Sequence, residues 1–130
     1  MQTIYPILIY RDCPAAIDFL ERAFGFERHA VFEGESGAVT HGELRLGDEL
    51  VMVSSASEGD ERYNQVIGNC VLYLAVEDPD AHHDRAKAAG APIERPLADQ
   101  DYGSRDYTAR DPEGNLWSFG TYRPELPIGG

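Results

Sequence analysis

The stretch Arg110-Asp111-Pro112-Glu113-Gly114-Asn115-Leu116-Trp117-Ser118-Phe119-Gly120-Thr121-Tyr122 decides the fold. Asp-Pro-Glu-Gly-Asn spells a tight turn: proline fixes φ at the second position, and glycine accepts the positive φ that re-aims the chain. A strand must follow at once, with Leu116, Ser118 and Gly120 on one face and Trp117, Phe119 and Thr121 on the other. The bulky pair faces a helix, so Ser118 faces whatever the sheet encloses.

Outward from this stretch the chain repeats itself. Asp12-Cys13-Pro14-Ala15 and Asp78-Pro79-Asp80-Ala81 each close an apolar strand and open a helix, at an offset of 66 residues (78 − 12). Asp18 and Asp84 keep that offset, as do Leu50 before Val51-Met52-Val53 and Leu116 before Trp117-Ser118-Phe119. The same unit is written twice. Tyr5 then corresponds to Val71 and Met52 to Ser118, which makes these four residues equivalent inward-facing positions.

In the first unit, Ile4 to Tyr10 is an apolar run suited to a buried strand. Asp12 can cap the helix that follows, Pro14 sits in its first turn, and Gly25 stops it. Phe26 to Phe32, Ala38 to Leu46 and Leu50 to Ser54 read as three further strands. Module one therefore spans residues 3–54. A polar stretch, 55–69, reads as a linker, and module two spans 70–122: strand Cys70–Val76, helix Pro79–Ala89, a short strand Ile93–Arg95, a loop from Pro96 to Gly103, and strands Ser104–Arg110 and Leu116–Tyr122. Residues 123–130 read as a loose tail. The expected fold class is α+β, two tandem strand-helix-strand-strand-strand modules forming a shared cleft.

Composition narrows the function. A chain of 130 residues, 42% hydrophobic, is one domain's worth of core. Its net charge of −12 would repel nucleic acid and anionic membranes, leaving a neutral or cationic small molecule as the expected partner. No apolar run approaches membrane length, and Met-Gln-Thr-Ile-Tyr-Pro has neither the basic region nor the apolar core of a signal peptide, so the reading is cytoplasmic. Cys13 and Cys70 show no metal or redox spacing.

In their order and repetition, the Asp12…Phe19…Ala23-Phe24-Gly25-Phe26 opening and the Asp111-Pro112-Glu113-Gly114-Asn115 turn resemble the vicinal oxygen chelate superfamily, which includes glyoxalase I, extradiol dioxygenases, fosfomycin-resistance enzymes and bleomycin-resistance proteins. The resemblance runs from Thr3 to Tyr122 and implies two half-barrels around a cleft, commonly in a homodimer. It also implies His and Glu metal ligands on the first and last strands of each module. Those positions fall on Tyr5, Met52, Val71 and Ser118: a phenol, a thioether, an isopropyl group and a neutral hydroxyl. None suits a divalent cation, which takes carboxylate or imidazole. The expectation is a metal-free branch, without metal, cofactor or assigned catalytic residue.

Other side chains join the expected ligand-binding set. Ile7 follows Tyr5 on its face, and Tyr73 follows Val71. Leu44 and Leu46 face the helix, which puts His41, Glu43 and Arg45 on the cleft side. Tyr102, Arg105 and Asp106 flank the long loop of module two, as ligand contacts or as a structural ion pair. His82 and His83 are adjacent on a helix, point about 100° apart, and read as solvent-facing rather than as a metal pair. Three functions remain: a metal-free protein binding a small cationic or aromatic molecule, possible antibiotics among them; a lyase or isomerase-type enzyme using His41, Glu43 and Asp106, with or without a noncanonical metal; and a ferredoxin-like ligand-sensing module, whose units would each lack a strand.

Overall fold

The computed structural model describes residues 1–126. Strands β1 (Ile7–Tyr10), β2 (Glu27–Glu33), β3 (Val39–Leu46) and β4 (Glu49–Ser55) form one sheet in the order β1-β4-β3-β2, with helix α1 (Cys13–Phe24) between β1 and β2. Strands β5 (Val71–Ala75), β6 (Ile93–Asp99), β7 (Arg105–Arg110) and β8 (Leu116–Gly120) form a second sheet in the order β5-β8-β7-β6, with helix α3 (Pro79–Ala88) after β5. The two modules have the same topology, and each has all four strands, which removes the ferredoxin-like alternative. The repeat extends to register. Ile7 pairs with Met52 in the first sheet and Tyr73 with Ser118 in the second, both in parallel ladders.

Both helices begin as their sequences dictate. Asp12 accepts from the Ala15 N–H at 3.2 Å and Asp78 from the Ala81 N–H at 3.0 Å, each just before a proline in the first turn. Gly25, at φ 82°, closes α1 in the left-handed region. α1 covers β1 and β4, α3 covers β6, β7 and β8, and the helices touch one another. Phe24 of α1 meets Trp117 and Phe119 of β8 with ring centroids 5.6 and 4.8 Å apart, so one core serves both modules.

The turn that opened the sequence reading is a hub of this core. Asp111 is buried; its Oδ2 accepts from the Tyr10 hydroxyl (2.6 Å), Asn115 Nδ2 (2.9 Å) and Trp117 Nε1 (3.0 Å). Its Oδ1 accepts from the Glu113 and Asn115 backbone N–H groups. Glu113 in turn accepts from the N–H groups of Arg11 and Asp12 at 2.6 and 2.8 Å, fastening the last turn of module two to the strand–helix junction of module one.

Most bounds fall within a residue of expectation, and four features differ by more. β1 starts at Ile7 because Pro6 has no N–H to offer the ladder; Tyr5 lies ahead of the strand, its hydroxyl donating to the Gln2 carbonyl. The linker contains a short helix, α2 (Glu61–Asn64), and the buried Ile67, because the segment folds back onto the Asp111 turn: a Cβ at Gly68 would lie 2.3 Å from the Glu113 carbonyl. β6 runs on through Pro96 to Asp99 because it is an edge strand with register shifts, where a missing donor costs no ladder bond. β8 ends at Gly120, so Tyr122 lies beyond it. Of the tail, residues 123–126 carry no regular structure, and the expectation for 127–130 lies outside the described residues.

Candidate functional site

The faces turned away from the helices are open. Ile7 and Phe32 on the first sheet and Val71 and Tyr73 on the second are exposed apolar or aromatic side chains, with Val71 at 73%. Each open face holds a hollow. The first, about 260 Å³, is lined by Ile7, Ile9, His41, Met52, Asp60 and Tyr63 among others, none of them from module two. His41 Nε2 lies 2.8 Å from Glu43 Oε2, and its ring stacks on Phe32 at 6.3 Å between centroids. His29 Nε2 approaches the other Glu43 oxygen at 3.8 Å. This places an imidazole–carboxylate pair beside Met52.

The second hollow, about 510 Å³, is lined by Tyr73, Arg95, Tyr102, Asp106, Ser118, Tyr122 and Pro124. The Ser118 hydroxyl shares a 2.7 Å hydrogen bond with Thr108 on the neighbouring strand. Asp106 is buried at 7% exposure and accepts from Gln100 Nε2 at 2.9 Å and the Tyr102 hydroxyl at 3.2 Å. Tyr73 donates to the Tyr122 carbonyl at 2.8 Å, and burial is the main cause raising its hydroxyl's pKa. A groove of about 730 Å³ between the modules is lined by Gln2, Ile4, the β3–β4 turn and β5; Tyr73 reaches both it and the second hollow.

The expected residues are thus distributed. His41, Met52 and Ile7 meet in one hollow, with Glu43 hydrogen-bonded to His41; Tyr73, Tyr102, Asp106 and Ser118 meet in the other. Tyr5 and Val71 line neither. Arg105 departs from the group. Strand alternation sends its guanidinium to the opposite face from Asp106, where it binds Asp80 of α3 at 2.7 and 3.1 Å and Asp99 at 3.2 Å, and its hydrogen bond holds Asp80 below the usual carboxylate range. Arg45 likewise pairs with Glu27.

The histidine pair of α3 also differs from expectation. His82 is not a solvent-facing residue: Nε2 meets the Phe24 carbonyl at 2.9 Å, Nδ1 meets the Tyr107 hydroxyl, and its ring lies 4.0 Å from that of Phe119. α3 has few large apolar groups, so imidazole fills the interface with α1. Burial lowers the pKa of His82 from its ordinary value. His83 packs its ring edge-on against Tyr107. Cys13 is buried, and its thiol is pushed up to about 12, which makes it a core residue rather than a nucleophile. Arg95, Tyr122, Asp60 and Tyr63 are cavity residues that the sequence reading missed. Tyr122 is the last residue of the expected strand and has no motif of its own, and Asp60 and Tyr63 lie in a segment without periodicity.

The sequence model of the Glyoxalase/Bleomycin resistance protein/Dioxygenase superfamily matches residues 4–119. The chain belongs to this superfamily. An uncharacterized Mycobacterium bovis protein, Mb0911c, is 33% identical over 121 residues, covering 88% of this chain and 80% of that one. The crystal structure of TioX from Micromonospora sp. ML1 superposes with a TM-score of 0.74 at 32% identity, covering 93% of this chain and all of TioX. The fosfomycin resistance protein FosX from Mesorhizobium loti, at 16% identity and TM-score 0.65, covering 94% of this chain and 92% of that one, shares the fold. The metal-dependent members of this superfamily raise the question of fit. The four carried-over positions hold a phenol, a thioether, an isopropyl group and a hydroxyl already bonded to Thr108, a donor set that does not match a divalent cation. Among the described residues, no group of three or more His, Cys, Asp and Glu side chains is placed to hold one elsewhere. No helix of the described chain is long and apolar enough to cross a membrane.

Proposed function

We propose that this superfamily member binds a small organic molecule on the open sheet faces and does so without a metal. The observation that carries the reading is the replacement of the whole carried-over ligand set while the scaffold and its register are retained. Losing one ligand would leave a site that water could complete; losing all four leaves no first-shell charge to offset stripping water from a dication. What remains at those positions suits organic matter: Met52 beside Ile7 in one hollow, and Ser118 beside Tyr73 in the other. The exposed Ile7, Phe32, Val71 and Tyr73 support a homodimer in which a second copy covers these faces and deepens the hollows.

One observation favours a second reading. The His41–Glu43 pair at 2.8 Å has the geometry of a proton-transfer couple in the hollow that holds Met52. Asp106, the third group of that alternative, lines the other hollow, so one chain does not assemble the three.

The test is elemental analysis of protein grown with zinc, nickel and manganese, followed by a thermal-shift screen of antibiotics and aromatic and cationic metabolites. Sub-stoichiometric metal and a melting point raised by an organic compound are expected. Stoichiometric metal that disappears on His41→Ala with Glu43→Ala would overturn the metal-free reading and promote the enzyme.

A further inference from the structure

We infer that the hollow of module two is a cation cage for an alkylated ammonium group, with Asp106 as counter-ion and Tyr73, Tyr102 and Tyr122 as walls. This rests on the small-molecule reading above and assigns a ligand class to one of its two hollows. The starting point is a buried carboxylate without a charge partner. Asp106 is 7% exposed, its oxygens meet only the neutral donors Gln100 and Tyr102, and among the described residues no Lys, Arg or His lies within 4.0 Å of it. A buried charge is normally paired, and Asp106 has two neutral hydrogen bonds and no direct ion pair, the cation on the wall of its hollow being the exposed Arg95. The adjacent arginine does not serve, since Arg105 is spent on Asp80 and Asp99 behind the sheet.

The walls suit a cation as well. Three tyrosines line a hollow of about 510 Å³ with this carboxylate, and a ring face attracts positive charge through its quadrupole. Tyr102 and Tyr122 pack edge to face at 83° with centroids 5.8 Å apart, which fixes one ring against the other, and the Tyr73 hydroxyl holds the Tyr122 backbone in place. Gly120 makes room for the assembly. A Cβ there would lie 2.6 Å from Asp106 Cβ and 3.0 Å from the Tyr73 hydroxyl oxygen, so the carboxylate-bearing strand and the first tyrosine approach over a residue without a side chain. The chain's charge of −12 adds a long-range attraction for cations. Two arginines oppose it: Arg123 lies close enough to act on the Tyr73 hydroxyl, and Arg95 stands on the hollow itself. Exposed on the cavity wall, Arg95 repels a plain cation and sets the side from which the ligand's neutral or anionic remainder extends.

Choline and its uncharged carbon isostere, 3,3-dimethylbutan-1-ol, separate charge from shape. Titrated into the full chain by amide-resolved NMR, choline is expected to shift the amides around Asp106 and Tyr122 and to bind on the order of tenfold more tightly than the alcohol. Asp106→Asn should abolish that preference, and Tyr102→Leu, which removes an exposed ring together with one of the two hydrogen bonds to Asp106, should weaken choline severalfold. Arg95→Gln should tighten it. Equal binding of choline and the alcohol, a preference that survives Asp106→Asn, or weakening by Arg95→Gln would each overturn the cage. If choline shifts nothing while a neutral aromatic probe shifts these amides, the cage falls and the small-molecule reading stands. If no probe shifts the amides of either hollow, both fall.

Discussion

Replacing Asp111 by Asn changes one atom at the junction of the two modules, and the structure fixes what that atom must face. Each carboxylate oxygen already accepts: Oδ1 from two backbone N–H groups, Oδ2 from the Tyr10 hydroxyl, the Asn115 amide and the Trp117 indole. Either orientation of the new amide therefore sets an NH₂ group against donors. With that NH₂ at the Oδ2 position, Tyr10 can turn its hydroxyl to accept, but the Trp117 and Asn115 N–H groups cannot. Two stranded buried donors at about 1–3 kcal/mol each give a loss of about 2–6 kcal/mol. That is a large share of the roughly 5–15 kcal/mol of a typical domain, and at about 3–5 °C per kcal/mol for a chain of this size corresponds to a melting point lower by roughly 6–30 °C. Glu113→Gln is the control. It keeps one acceptor for the Arg11 and Asp12 N–H groups at a wetter site, and should cost about 1 kcal/mol. Urea unfolding of the three proteins measures both losses, with equal m-values expected. An Asp111→Asn loss below about 1 kcal/mol, or one no larger than that of Glu113→Gln, would refute the assignment of Asp111 as the hub.

Acid should weaken the fold through His82. Burial holds its pKa below the ordinary 6.5, so the unfolded chain binds the proton more readily than the folded one; stability is fully present above pH 6.5 and falls as the pH drops below it. Melting curves from pH 7.5 to 5 should show that slope, and His82→Gln should flatten it. Light scattering should give twice the mass of one chain at micromolar concentration, and Val71→Asp, at the most exposed of the second sheet's apolar residues, should shift it towards the monomer.

The scaffold was legible because its signals are local and repeated. Capping Asp followed by proline, glycine stops, and a fixed offset between equivalent strands all act within a few residues, and the paired register of Ile7 with Met52 and Tyr73 with Ser118 follows from them. Strand alternation also placed Trp117 and Phe119 in the core and Ser118 on the other face. Alternation fails where a residue leaves its strand or where the second partner is distant in sequence. Pro6 put Tyr5 outside β1; Arg105 does obey alternation in facing away from Asp106, but its partner Asp80, 25 residues earlier on a helix, is one that nothing near Arg105 announces. His82 was misread because spacing on a helix says which face a residue shares but not which face is buried. In a helix as poor in apolar side chains as α3, that face is set by the module it packs against.

Duplication explains why one chain carries two hollows of different chemistry. The parallel pairing of first and last strands places one side chain from each at the same point of either sheet, and this backbone relation is held by ladder bonds that do not depend on side-chain identity. At that point module one has Ile7 and Met52, both apolar, while module two has Tyr73 and Ser118, both hydroxyl-bearing. Around them the divergence continues: an imidazole–carboxylate couple in the first hollow, a tyrosine-lined carboxylate in the second. A metal centre at the family's positions, Tyr5, Met52, Val71 and Ser118, would constrain one residue of each pair, since each ligand's distance depends on the others. On the metal-free reading proposed above, each module's pair can change independently, and the difference between the two hollows is what independent selection for organic contacts at each site would leave.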